Sequence, residues 1–157
     1  MITLVVASAN RPLLDQAQAG LTGEQGIKLV GEARDGKEVA LLVTRRRPTL
    51  LLLDLALPPA GGHLVLAPIR TGSPKTRVLA IDARLDEGRM LRVAKAGAHG
   101  YMLREAIPAY LPKALRVMAA GEVWLGRKLM AKVVEELQRL LRLQARARGD
   151  GRIASRP

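Results

Sequence analysis

A chain of 157 residues with 48% apolar side chains has room for one domain with a real core and an extension. With 2% aromatics and no Phe, that core must come from Leu, Val, Ile, Ala and Met; with no Cys, disulfides and thiolate metal sites are excluded. A net charge of +12 favours nucleic acid or anionic surfaces as partners, whereas His63 and His99 are too few for a histidine metal site.

Met1 to Leu4 enters a strand pattern at once, which leaves no room for a signal peptide. No apolar run reaches the ~18 residues of a membrane span, so the expectation is a cytoplasmic protein with no membrane partner. Ile2 to Ala7 reads as a short buried strand, and Leu13 to Leu21 as a helix with Pro12 in its first turn. Ile27 to Ala33 gives a second strand, Asp35-Gly36 a turn, and Lys37 to Arg46 a helix with Val39, Ala40, Leu42 and Val43 inward. Thr49 to Leu53 is apolar after its first residue, as a strand covered on both faces should be, and it stops at Asp54. Residues 55–62 are loop by composition, and His63 to Arg70 is a helix that Pro68 shortens or bends. A fourth strand, Arg77 to Ile81, ends at Asp82; a helix follows from Glu87 to Ala96, closed by Gly97. Gly100 to Leu103 is a fifth strand followed by Arg104, and Ile107 to Ala120 a helix in which Pro112 predicts a late start or a kink.

Alternating strands and helices with covered, apolar strands imply an α/β fold, a parallel sheet with helices on both faces. In such sheets the site lies beyond the carboxyl ends of the strands. Those ends carry Ser8-Ala9-Asn10, Asp54, Asp82 and Arg104. The stretch Pro58 to Gly62 is a turn-rich loop and not a phosphate loop, because no Gly-Lys-Ser or Gly-Lys-Thr follows it.

Four stretches in order, Leu29 to Val39, Leu52 to Gly62, Ala96 to Arg104 and Ala120 to Leu125, resemble the receiver domain of bacterial response regulators. The likeness is to receivers of the NarL/LuxR type, which precede a helix-turn-helix output domain, and covers about residues 2–125. It implies a doubly wound, CheY-like (flavodoxin-like) sheet of five strands in the order 2-1-3-4-5. In that family two acids after the first strand bind magnesium, an Asp after the third accepts a phosphoryl group, a Thr or Ser after the fourth grips it, and a Lys after the fifth pairs with its charge. By this resemblance Asp54 stands at the phosphoacceptor position. Ser8 and Ala9 replace the acidic pair, Asp82 the hydroxyl and Arg104 the lysine, while Tyr101 keeps the aromatic that swings inward on activation.

Magnesium is a hard cation that needs carboxylates, and phosphoryl transfer rests on positioning and charge neutralisation. A site stripped of its acidic pair is therefore expected to be a poor acceptor, with no metal and no cofactor. Arg104, with its rigid fork, is expected to bridge Asp54 and Asp82 and to lock one conformation in place of a reversible switch. The expected function is that of an atypical, phosphorylation-independent receiver: a non-enzymatic protein-interaction module in signal transduction or transcriptional regulation. Two alternatives stand beside it, a conventional receiver phosphorylated at Asp54 and a nucleic-acid-associated protein. The expected contact surfaces are the face of the fourth helix, fifth strand and fifth helix, as the resemblance implies, and the carboxyl-terminal extension.

That extension, residues 126–148, reads as one amphipathic helix. Met130, Val134, Leu137 and Leu141 are spaced four, three and four apart, an apolar seam that Leu129, Val133 and Leu140 broaden. The seam must be covered by its own receiver, by a second copy or by another protein. Gly149-Asp150-Gly151 breaks the pattern, leaving residues 149–157 as a flexible basic tail. No second helix follows in a helix-turn-helix arrangement, so sequence-specific DNA reading is not expected. Arg139, Arg142, Arg146 and Arg148 offer non-specific phosphate contacts.

Overall fold

The computed structural model describes residues 1–59 and 61–154, the last five of them as backbone. It comprises two compact units, Met1–Leu125 and Gly126–Pro157.

In the first unit, five strands form one parallel sheet: β1 (Ile2–Ala7), β2 (Ile27–Ala33), β3 (Leu50–Asp54), β4 (Arg77–Asp82) and β5 (Gly100–Leu103), in the order β2-β1-β3-β4-β5. The order places β1 between β2 and β3, so the winding changes direction across the sheet there, and in such sheets sites lie at the carboxyl ends beside that point. The helices are α1 (Arg11–Leu21), α2 (Gly36–Arg46), α3 (Leu66–Gly72), α4 (Glu87–Ala96) and α5 (Ile107–Ala119). One core lies between the sheet and the α1/α5 layer: Leu4 and Val6 from β1, Leu50 and Leu52 from β3, Leu79 and Ile81 from β4 meet Leu13, Leu14, Leu111 and Leu115. All four leucines of β3 are fully buried, as expected of a strand covered on both faces.

Three helices start on side-chain caps. Asn10, Asp35 and Asp86 accept from the backbone N–H groups of Leu13, Glu38 and Arg89, each satisfying one orphan donor of its helix. The segment expected as a helix from His63 to Arg70 is divided. A 3₁₀ turn covers Gly62–Val65 and α3 begins at Leu66, which places Pro68 in the first turn, where its missing N–H costs nothing. Pro112 does not delay α5, which opens at Ile107 after a 3₁₀ turn at Arg104–Ala106 and runs through the proline.

Beyond α5 the chain returns along the outer edge of β5. Trp124 donates its N–H to His99 O (3.3 Å) and accepts from Tyr101 N–H (3.0 Å), forming a parallel bridge. Its indole lies 6.2 Å from the ring of Tyr110. Arg77 holds the same segment by donating to the carbonyls of Gly121 and Glu122.

The second unit is α6 (Arg127–Ala154), an uninterrupted helix. The expected break at Gly149-Asp150-Gly151 is absent, and the backbone stays helical to Ala154. A glycine costs only about 1 kcal/mol in a helix, a penalty and not a stop. The rest of the expected tail, residues 155–157, lies outside the described residues. Among the described residues no helix is long and apolar enough to cross a membrane.

Candidate functional site

The carboxyl ends of β1, β3, β4 and β5 bring Ser8, Asp54, Asp82, Tyr101 and Arg104 to one edge of the sheet. Asp54 is the last residue of β3 and is 8% exposed. Its Oδ2 accepts a 2.6 Å hydrogen bond from the fully buried Ser8 hydroxyl, and its Oδ1 accepts from Ala56 N–H at 2.9 Å. The loop after β3 is drawn against the same residue. A Cβ on Gly62 would collide with the Asp54 carbonyl oxygen, so only glycine passes there.

Of the two residues read as standing for the acidic pair, Ser8 points inward and Ala9 is exposed and carries no polar group. The further polar side chain at this end of β1 is Asn10. Its amide oxygen caps α1 and also accepts from Arg104 Nη2 at 3.1 Å. The bridge expected from Arg104 to Asp54 and Asp82 does not exist: the guanidinium turns to the β1 side. Asn10 was legible as a helix cap, one residue before Arg11-Pro12. Its pairing across the sheet was not.

Asp82 is 5% exposed and ends β4; it neither caps a helix nor sits in a loop. The cap of α4 is Asp86, and the Arg89 N–H bonded to it holds its carboxyl below the usual range. Asp82 Oδ2 receives two donors, the Tyr101 hydroxyl at 2.6 Å and Arg89 Nε at 2.8 Å. Tyr101 is 4% exposed, and its hydroxyl also accepts from Asp86 N–H at 3.2 Å. Burial, reinforced by the hydrogen bond to Asp82, pushes the phenol well above its ordinary pKa. The Asp82 carboxylate likewise holds Arg89 more firmly in its charged form. The ion pair that neutralises Asp82 is therefore Arg89, from the first turn of α4, and not Arg104.

The metal of the receiver family does not fit this donor set. Magnesium there is shared by three carboxylates, whereas here, among the described residues, Asp54 is the one carboxylate beside Ser8 and Asn10, and each of its oxygens already accepts a hydrogen bond. Asp82 is committed to Tyr101 and Arg89. Among the described residues, no group of three or more His, Cys, Asp or Glu side chains is placed to hold a metal.

The remaining residues read from the sequence lie on α6. Met130, Val134, Leu137 and Leu141 are 37%, 46%, 55% and 55% exposed. Arg139 is tied to Glu136 one turn back, and Arg142, Arg146 and Arg148 are exposed. His99 is half-buried, and its Nδ1 accepts from Val78 N–H at 3.1 Å.

Comparison with known proteins agrees with this geometry. The response regulator receiver domain family matches residues 5–116. The oxygen regulatory protein NreC of Staphylococcus epidermidis is 32% identical over 117 residues, 74% of this chain and 54% of that protein. The chain thus spans about half the length of the curated relatives it matches. The receiver domain of the response regulator NarL from Mycobacterium tuberculosis superposes with a TM-score of 0.73 at 27% identity, covering 77% of this chain and 98% of that one. A LuxR-family response regulator from Aurantimonas sp. SI85-9A1 superposes with a TM-score of 0.76 at 24% identity, covering 85% and 96%. A CheY-like sheet in the order 2-1-3-4-5, an aspartate at the end of β3 and the match over residues 5–116 together place this chain in the response regulator receiver family, among receivers of the NarL/LuxR type.

Proposed function

We propose that this receiver works without phosphoryl transfer, as a protein-interaction module of two-component signalling or transcriptional control. The observation that carries the reading is the charge on Asp82. Where the family places a hydroxyl to grip an incoming phosphoryl group, this chain holds a buried carboxylate whose Oδ2 already accepts from Tyr101 and Arg89. An anion brought to Asp54 meets a second anion instead of a neutral donor, which is unfavourable in a site of low dielectric. The hydrogen bond to Asp82 keeps the Tyr101 ring inward without any ligand, the position the family reaches on activation.

The reading leaves the face of α4, β5 and α5 in one fixed arrangement for a partner. The α6 stripe offers a second surface. The positions flanking it are Ala131, Val133, Gln138, Leu140, Ala145 and Ala147, none of them charged. Pairing with a second copy or a partner helix would meet no like-charge repulsion along the seam.

The test is nuclear magnetic resonance of the full chain with beryllium fluoride and magnesium, which mimic a phosphoryl group. This reading expects the amides of Leu53 to Ala56 and the Tyr101 ring signals to stay in place. Saturable shifts at both would overturn it in favour of a working phosphoacceptor.

A further inference from the structure

At the opposite end of the sheet, where β4 and β5 begin, a cavity of about 390 Å³ opens among Ile69, Arg70, Thr76, Val78, Lys95 and His99, with Pro74 and Gly97 completing its wall. We propose that this cavity is a binding site for a small anion, a phosphate- or carboxylate-bearing molecule with a short apolar body, and that its occupancy is sensed by the segment leading out of the receiver.

Three features of the cavity carry the proposal. First, its wall brings the guanidinium of Arg70 together with the ring of His99, and among the described residues that line it there is no carboxylate. Second, these two groups are fixed in advance. Arg70 lays its stem across Gly97, whose added Cβ would stand 2.6 Å from Arg70 Cδ, and its Nη1 donates to Ala96 O at 3.3 Å. The backbone of Gly97 has φ 117°, so glycine is required there twice over. His99 accepts Val78 N–H on Nδ1, which puts the proton of the neutral ring on Nε2 as a donor. Third, Ile69, Pro74 and Val78 give the cavity an apolar side, and its volume falls in the ordinary range for small-ligand pockets, roughly 300–1,000 Å³.

The same histidine holds the exit segment. His99 N–H donates to Val78 O, and His99 O accepts the N–H of Trp124. An anion drawn between Arg70 and His99 therefore acts on a residue one hydrogen bond away from Trp124, the chain's sole tryptophan. Burial and the neighbouring Arg77 and Arg70 charges keep His99 neutral, and a bound anion opposes the effect of both arginines. Binding should accordingly raise the pH at which His99 titrates.

The experiment is a titration of the full chain with inorganic phosphate and with citrate, followed by Trp124 fluorescence and by the His99 ring signals, against sodium chloride at matched ionic strength. The expected result is a saturable change that chloride does not reproduce. Its half-saturation concentration should rise by about tenfold or more in Arg70→Gln, since a charge-assisted contact is lost. Lys95→Gln serves as a second variant should Arg70→Gln shift the urea midpoint. A change of equal size with chloride, or no change with either anion, would overturn the proposal. So would a response that Arg70→Gln and Lys95→Gln leave intact but that replacing Arg139, Arg142 and Arg146 by Gln removes, because the anions would then be following diffuse charge on α6.

Discussion

Removing one oxygen atom tests the Asp82 cluster most sharply. Tyr101→Phe keeps the buried ring and deletes only the hydroxyl. The deletion removes a 2.6 Å bond to a carboxylate that is 5% exposed and leaves Asp86 N–H without its acceptor at 3.2 Å. Charge-assisted hydrogen bonds of this kind contribute about 1.5–3 kcal/mol. Arg89 still neutralises Asp82, which argues for the lower half of that range, about 2 kcal/mol. For a unit spanning Met1–Leu125 this lowers the melting temperature by about 6 °C. Urea denaturation followed by circular dichroism measures the loss, and Tyr110→Phe is the control, since Tyr110 is 51% exposed and changes there should stay within about 0.5 kcal/mol. The pH dependence adds a second reading. The folded protein raises the phenol's pKa above its ordinary value of 10.0, so stability from neutral Tyr101 is complete below pH 10 and is lost as the pH climbs beyond it. Tyr101→Phe should flatten that alkaline decline. A loss under about 0.5 kcal/mol, with an unchanged alkaline limb, would refute the reasoning.

Other outcomes follow from the same contacts. His99 has a folded pKa below 6.5, so its contribution is complete above pH 6.5 and is lost as the pH falls from there towards the folded value; His99→Gln should abolish that slope in urea midpoints between about pH 5 and 7. Ser8→Ala removes the donor to Asp54 and should cost about 2 kcal/mol, whereas Arg104→Ala loses a single bond to Asn10 and should cost under about 1 kcal/mol. The reverse order in chemical denaturation would restore Arg104 as the keystone of the site. Leu137→Lys places a charge in the α6 stripe and should abolish any concentration-dependent mass above the monomer in light scattering; a native chain that is monomeric at every concentration would leave the seam without a second copy as partner.

Much of the fold was legible because the signals were local. Leu50 to Leu53 can only be a strand buried on both faces, and the αL cap at Gly97 ends α4 where the sequence places it. Asp54, Asp82 and Arg104 were legible as neighbours from strand ends alone, and Tyr101 joined them through the family resemblance. What was not legible is which charge meets which. Three residues, 83–85, lead from β4 to the cap of α4, and their path decides that Arg89 in the first turn lies over Asp82. Arg104 has the length to reach several acceptors, and Asn10 lies opposite it because α1 begins there. The Trp124 bridge spans too few residues to show a strand period, so the return of the chain along β5 left no pattern to read. In α6 the glycines misled, since a helix tolerates a penalty that composition treats as an end.

The central claim concerns the chemistry of Asp54. Intact-mass spectrometry of the full chain after incubation with acetyl phosphate and magnesium measures it directly, with a conventional receiver in the same tube as the positive control. The account predicts an unmodified mass for this chain while the control gains one phosphoryl group. A phosphoryl adduct that disappears in Asp54→Asn would contradict it.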